Sequence, residues 1–320
     1  MINMTLFSTL LSSVGKDGQV APRTGFFHNF RRKEILARKW SQETEDIVDT
    51  ISDEDKDRLQ CNLKDLDSSL GAYPYQSWKK WISLTNKITV DVIEKIKPLC
   101  DKISSVADLI PSENEPEMKK AKRILRANIE STMLPSMQER PGTELRFTSI
   151  PSESYPEGAT PSQITKYSLD SSYVLEQLLS CWQKSDQLLG ELQMAFICFL
   201  VGQVYSAFEQ WKKLLTILCT ADEMLQKNPK LFINFIGDVY FQMQEVSADF
   251  FVDIITQDNF LVHIFRIFFS NISENKHLDA QLRKRGHQLE EYLTQRFQWD
   301  FSMESEEDAP VVVQLPEESE

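Results

Sequence analysis

Three aspartates, Asp249, Asp253 and Asp258, are the carboxylates whose spacing comes nearest to that of a catalytic pair. Asp249 and Asp253 are four residues apart, so a helix would place both on one face, where acid and base groups of an active site can cooperate. Neither a histidine nor a second carboxylate-bearing helix is tied to them in the sequence. We therefore expect roles at a helix terminus or on the surface, and no catalysis.

The cysteines and histidines form no recognisable nucleophile or metal pattern. The five cysteines are widely spaced without a CxxC pair, and the four histidines form no HExxH motif. Cys198 lies in an apolar run, where a thiol is expected to be inert, and nothing links it to His263. The ten glycines form no phosphate-binding loop. The sequence predicts a protein that is not an enzyme, with no metal and no cofactor, and with reduced cysteines in the cytoplasm or nucleus.

The charge of the chain excludes a general nucleic-acid binder. The net charge is -13 over 320 residues, whereas phosphate binding depends on clustered Lys and Arg. One predicted helix, 117–134, carries a basic face: Lys119, Lys120, Lys122, Arg123 and Arg126. Because no aromatic residues interleave with it, we interpret this face as solvated. A protein partner is therefore expected, without direct nucleic-acid or membrane binding.

The centre of the chain is predicted to be two buried helices between Gly190 and Cys219. No charged residue lies between Glu191 and Glu209, and the run is too mixed to span a bilayer. In its second half the apolar residues recur at spacings of three and four, which places them on one stripe. That stripe consists of Val204, Phe208, Trp211, Leu215, Leu218 and Cys219.

The sequence predicts an α+β fold that is mostly α. A strand is expected in the first residues, a β-hairpin from Gly25 to Trp40, a helix from Ser52 to Leu70, another from Val90 to Lys97, and a short strand at 145–149. The helices expected after these cover 161–181, 188–202, 203–220, 230–244, 248–257, 259–271 and 278–297.

The domain boundary is expected near residue 158, within a segment rich in proline and glycine. Thr160, Pro161 and Gln163 predict a capped helix start directly after it. The domains are then 1–157, which combines strands and helices, 158–302, which is all-helical, and an acidic tail, 303–320.

The tail contains five residues of high β-propensity between Pro310 and Pro316: Val311, Val312, Val313, Gln314 and Leu315. A lone strand after an all-helical domain either folds back on the sheet of the first domain or adds to the edge of a partner's sheet. A frayed end without a role is the alternative. We predict partner binding by these five residues.

Several long strings, in order, resemble the Aar-two splicing factor family. They are LGAYPYQSWKKWISLTN (70–86), GTELRF (142–147), PEGATPSQITKYSLD (156–170), GELQMAFICFLVGQVYSAFEQWKKLL (190–215), ADFFVDIITQDNFL (248–261), QWDF (298–301) and APVVVQLPE (309–317). The resemblance extends from about residue 22 to the end. Family members usually begin with an additional β-rich segment, so the resemblance implies a truncated first domain that lacks its first strands.

The resemblance implies a VHS-like C-terminal domain and a role as assembly chaperone of the U5 small nuclear ribonucleoprotein (snRNP). The implied partner is the C-terminal RNase H-like and Jab/MPN domains of the largest U5 scaffold protein, from which the family excludes the helicase until maturation. The implied locations are cytoplasm and nucleus, with a monomer outside the complex. The alternative is a VHS-like adaptor that binds peptide motifs.

Ser305 is a hypothetical regulatory site because Glu306, Glu307 and Asp308 follow it, a setting that suits an acidophilic kinase. A phosphate there would add negative charge beside the strand and release the partner.

Overall fold

The computed structural model describes residues 3–9, 24–30, 39–41, 46–48, 52–58, 81–100, 103–105, 109–111, 137–247 and 260–301. Most of these residues are helical, which confirms the prediction of a mostly α chain. Contacts between Cα atoms divide the chain into two compact units. The first unit consists of Met1–Ser149 and Asp186–Lys212, and the second of Ile150–Ser185 and Lys213–Glu320.

The helices of the described residues are, in chain order, α1 Val90–Ile96, α2 Pro161–Leu169, α3 Ser172–Ser180, α4 Ser185–Leu200, α5 Tyr205–Thr220, α6 Asp222–Lys227, α7 Pro229–Glu245, α8 Phe260–Glu274 and α9 Ala280–Phe297. Two shorter helical segments cover 53–58 and 81–85. The strands are β1 Asn3–Thr9, β2 Thr24–Phe30, β3 Lys39–Ser41, β4 Asp46–Val48, β5 Ile103–Ser104, β6 Ile110–Pro111 and β7 Met137–Gln138. No helix of the described residues is long and apolar enough to cross a membrane.

The strand expected in the first residues is present as β1, and the first strand of the hairpin expected from Gly25 to Trp40 is present as β2. Residues 31–38 of that hairpin lie outside the described residues. Among the described strands β2 pairs with β1 and β5, and β3 pairs with β4. The β1 pairing runs antiparallel along the whole of β2, from Asn3 opposite Phe30 to Thr9 opposite Thr24.

The first unit is built around α4, most of which is buried. A Cβ atom at Gly190 would lie 2.4 Å from the Lys87 carbonyl oxygen, so only glycine permits this approach. Aromatic rings continue the core, with Phe199 and Phe208 4.7 Å apart and Phe196 and Trp211 5.7 Å apart between ring centroids. The two buried helices predicted between Gly190 and Cys219 are present as α4 and α5, and α4 is more deeply buried than α5.

The strand expected at 145–149 is wrong, because this segment bonds to helix ends instead of a sheet. The Arg146 amide donates to the Ile96 carbonyl at 2.8 Å, and the guanidinium donates to the carbonyls of Lys97 and Glu94 at 2.7 and 3.0 Å. These bonds satisfy carbonyls that the last turn of α1 leaves without helical partners. Leu145 is buried beside them.

In the second unit, the helix expected over 161–181 is divided into α2 and α3 at Asp170. The predicted capping box at the start of α2 is confirmed, with Thr160 and Gln163 bonded reciprocally. The Asp170 carboxylate accepts hydrogen bonds from the amides of Ser172 at 2.9 Å and Asp222 at 3.1 Å. One aspartate therefore caps the first turns of both α3 and α6, which a continuous helix would prevent.

A cluster of aromatic rings on α7, α8 and the chain after α9 forms part of the core of the second unit. Phe235 and Phe268 lie 5.7 Å apart, and Phe269 contacts Phe301 at 5.0 Å between ring centroids. The Arg296 guanidinium of α9 donates to the carbonyls of Met243, Gln244 and Val246, at the end of α7, at 3.1, 3.2 and 2.9 Å. A single side chain thus completes the last turn of a neighbouring helix.

Candidate partner-binding cleft

The residues that the sequence singled out for partner binding lie outside the described residues. These are Val311, Val312, Val313, Gln314, Leu315 and the regulatory Ser305. The three aspartates Asp249, Asp253 and Asp258 and the basic face of 117–134 also lie outside them. Their predicted roles stay predictions.

The thiol of Cys198 is fully buried, and burial raises its pKa well above the usual range. A raised pKa removes the thiolate that nucleophilic catalysis requires. His263 is exposed on α8. Among the described residues, no group of three or more His, Cys, Asp and Glu side chains is arranged to hold a metal ion.

The first polar cluster of the first unit is centred on Glu191, which is 0% exposed. Its carboxylate accepts hydrogen bonds from the Thr148 amide at 2.9 Å, the Thr148 hydroxyl at 2.6 Å and the Gln210 amide group at 2.8 Å. Gln210 also donates to the Thr148 carbonyl at 3.0 Å. Burial raises the pKa of Glu191 more than these bonds lower it. These hydrogen bonds fix the positions of α4, α5 and the 145–149 segment relative to one another.

A second buried polar side chain, Gln193, joins α4 to the chain before α1. Its carbonyl oxygen accepts from the Lys87 amide at 2.9 Å, and its amide group donates to Asn86 Oδ1 at 2.9 Å and to the Ser83 carbonyl at 3.3 Å. Buried polar groups that are fully bonded specify one arrangement of the core. Together with Glu191, Gln193 fixes the position of α4 within the first unit.

A surface cleft of about 430 Å³ lies where α5 begins and β7 ends. We call it the β7–α5 cleft. Its lining combines apolar and acidic side chains: Leu109, Met137, Gln138, Glu139, Pro141, Glu144, Tyr205 and Ser206. All of these residues belong to the first unit.

Local backbone conformations position the carboxylates and the aromatic ring of the cleft. The turn from Arg140 to Thr143 places Gly142 at φ +84°, and the Gly142 amide donates to Glu144 at 2.7 Å. Gln203, at φ 53°, ends the loop before α5 and lets Tyr205 begin the helix at the surface. The turn and the loop thus deliver acidic and aromatic groups to one opening.

The half-buried Glu139 carboxylate accepts a hydrogen bond from the Ser206 hydroxyl. Burial raises the pKa of Glu139, the nearby Glu144 raises it further, and the bond from Ser206 lowers it. The described lining contains two carboxylates, Glu139 and Glu144, and these can bind a cation or a hydrogen-bond donor.

Neither this cleft nor the polar clusters were predicted from the sequence. A signal for the clusters was present, because Glu191 and Gln193 are polar residues within an apolar helix and must find partners when buried. The cleft had no comparable signal, since Glu139 and Tyr205 are 66 positions apart and neither belongs to a spaced motif.

Comparisons with known proteins cover both halves of the chain. Residues 7–98 match the AAR2 N-terminal domain, and residues 147–302 match the AAR2 C-terminal repeat region. The Protein AAR2 homolog of Homo sapiens is 42% identical over 320 residues, which is 96% of this chain and 83% of that protein. The homolog of Mus musculus is 40% identical over 96% of this chain and 83% of the mouse protein. The homolog of Caenorhabditis elegans is 38% identical over 88% of this chain and 82% of the nematode protein. The resemblance found in the sequence is confirmed, and the chain belongs to the AAR2 family.

Proposed function

We propose that this protein is a non-enzymatic pre-mRNA splicing factor that acts as an assembly chaperone of the U5 snRNP. It binds the C-terminal RNase H-like and Jab/MPN domains of the largest U5 scaffold protein and blocks premature association of the helicase. The observation that carries the proposal is the match to both AAR2 domain descriptions, with 42% identity to the human homolog over almost the whole chain.

In this proposal the helices of 158–302 form a VHS-like platform, and the protein is a monomer outside the complex. It works in both cytoplasm and nucleus, since an assembly factor acts before its target complex is complete. The buried polar clusters support a platform role because they fix one rigid arrangement of α4 and α5, and a rigid surface loses little entropy when a partner docks.

The tail supplies a strand to the partner through Val311, Val312, Val313, Gln314 and Leu315. Three consecutive valines favour extended backbone, and the prolines on either side limit self-association. A donated strand gains affinity from main-chain hydrogen bonds to the partner's sheet. A proline within the strand would remove one of these bonds, because proline has no backbone N–H.

The test is a pull-down of the scaffold's C-terminal domains from nuclear and cytoplasmic extract, followed by titration with purified domains. Deletion of 309–320 and Val312→Pro are expected to abolish or strongly weaken binding, whereas Val312→Thr, which keeps the β-branched shape and the amide, retains it. If the deletion binds as tightly as the full chain, the strand role is wrong. The VHS-like adaptor, which would take peptide motifs into a groove between helices, then becomes the better explanation.

Ser305 is proposed as the release switch for this strand. A phosphate would add a charge of about -1.5 to -2 beside the strand, next to three acidic residues, and release the partner. Ser305→Glu is expected to bind the scaffold domains more weakly than Ser305→Ala. Equal affinities of the two variants would eliminate the switch and leave the strand role intact.

A further inference from the structure

We infer that the β7–α5 cleft receives an arginine side chain presented by a protein partner. The inference rests on the proposed function only in that a protein supplies this arginine. It adds a second contact, on the first unit, that is independent of the C-terminal strand.

The charge of the cleft favours a cation. Glu139 and Glu144 both line it, and Glu144 is close enough to make ionisation of Glu139 less favourable. Among the described residues, the Ser206 hydroxyl is the donor that bonds to the Glu139 carboxylate. An incoming cation would relieve the repulsion between the two carboxylates and compensate the partial burial of Glu139.

The apolar part of the lining selects arginine among the cations. Tyr205 is 57% exposed and Met137 is 42% exposed, so both present side-chain surface to an occupant of the cleft. A guanidinium stacks on an aromatic face while its edge donates to carboxylates, and its methylene stem covers apolar surface. The compact lysine ammonium satisfies these demands less well because it is strongly hydrated and lacks a planar face.

The size and charge of the cleft also decide between kinds of occupant. A volume of about 430 Å³ accommodates one long side chain together with the adjoining backbone. Nucleic acid is excluded because the two carboxylates would repel phosphates. A peptide segment that carries one arginine between apolar residues therefore fits the lining best.

Two labelled pentapeptides, Gly-Leu-Arg-Leu-Gly and the same peptide with citrulline in place of arginine, test the inference on the full chain. Citrulline keeps the shape of arginine and removes its charge. Fluorescence anisotropy is expected to detect binding of the arginine peptide, at least tenfold weaker binding of the citrulline peptide, and weaker binding as salt is raised.

Variants of the lining identify the site. Glu139→Gln together with Glu144→Gln is expected to weaken the arginine peptide about tenfold, as expected for loss of two charged partners. Tyr205→Leu is expected to weaken it severalfold, and Tyr205→Phe to retain binding because the ring face remains. The matched control Glu153→Gln with Glu157→Gln removes the same charge from exposed residues of the second unit and leaves binding unchanged.

Three outcomes would overturn the inference. They are equal binding of the two peptides, no binding of either, and binding that survives Glu139→Gln with Glu144→Gln. The proposed function fails by a different observation, namely that the scaffold domains do not bind the full chain. The arginine peptide would still bind the cleft in that case. Circular dichroism of each variant establishes that it is folded.

Discussion

Glu191 is a carboxylate in an apolar core, and at the residue scale it links stability to pH. Its three hydrogen bonds hold the α4–α5 pair, but its burial disfavours the ionised form. The native pKa therefore lies above that of the unfolded chain. Below both pKa values Glu191 is protonated in the native and in the unfolded chain. As pH rises from the unfolded pKa to the native pKa, the unfolded chain loses its proton more easily than the native protein does, so the free energy of unfolding falls.

Glu191→Gln tests this coupling. The wild type is expected to lose stability relative to Glu191→Gln as pH rises from about 4.5 through the native pKa, because only the wild type acquires a buried charge. Denaturant unfolding at a series of pH values measures the difference in free energy. The exposed Glu94→Gln serves as control, and a difference between wild type and Glu191→Gln that does not vary with pH would contradict the assignment.

Gly190 and Gly237 give opposite predictions for the same substitution. Gly190→Ala places a Cβ atom 2.4 Å from a backbone carbonyl oxygen and is expected to cost about 1–3 kcal/mol or more. Gly237→Ala, within α7, meets nothing within 4 Å and is expected to gain about 0.5–1 kcal/mol from helix propensity. Thermal unfolding distinguishes them, and a neutral Gly190→Ala would show that the helix can shift away.

At the scale of elements, individual polar side chains decide where helices begin and end. Asp170 caps two first turns, and Arg296 completes the last turn of α7. The sequence predicted one helix over 161–181, without the break at Asp170. The start of α2 was predictable because Thr160 and Gln163 form a local signal. The bond from the Asp222 amide to Asp170 at the start of α6 was not predictable, because these two residues are 52 positions apart in the sequence.

Asp170→Ala is expected to cost about 2 kcal/mol, because two helix starts lose an acceptor and each cap contributes about 1 kcal/mol. Asp170→Asn keeps one acceptor oxygen and is expected to lose less. Chemical denaturation monitored by circular dichroism gives both values. If Asp170→Ala costs no more than Asp170→Asn, the carboxylate does not serve both helices.

The strands illustrate a different reason for failure of sequence prediction. β1 was predicted from its own residues, but its partner was not, since pairing depends on which strands meet in space. The hairpin at Gly25 to Trp40 was the nearest pairing along the chain, whereas the described structure pairs β2 with β1 and β5. The β7–α5 cleft escaped prediction for the same reason, because it exists only once distant segments have met.

At the scale of the whole molecule, the division of the chain has consequences for truncation. The predicted boundary near 158 separates α4 from Thr148, Asn86 and Lys87, which bond to its buried Glu191 and Gln193. The described contacts place Asp186–Lys212 with the first unit. Cutting at the predicted boundary would therefore leave buried polar groups without their partners.

A fragment of residues 158–302 is expected to melt on the order of 10 °C lower than a fragment of residues 81–302, since each unsatisfied buried group costs about 1–3 kcal/mol. It is also expected to bind a hydrophobic dye, because the apolar surface of α4 loses its cover. Circular dichroism and dye fluorescence measure the two effects. Equal melting without dye binding would support the boundary near 158.

The position of α4 in the chain also bears on how the protein is made. A ribosome releases residues 81–97 and 148 before α4, so the groups that bond to Gln193 and most of those that bond to Glu191 already exist when this helix emerges. Only Gln210 follows, ten residues after the end of α4. The first unit can then close cotranslationally, while the polypeptide after residue 212 is still being synthesised, and nascent α4 spends little time exposed to chaperones or to aggregation.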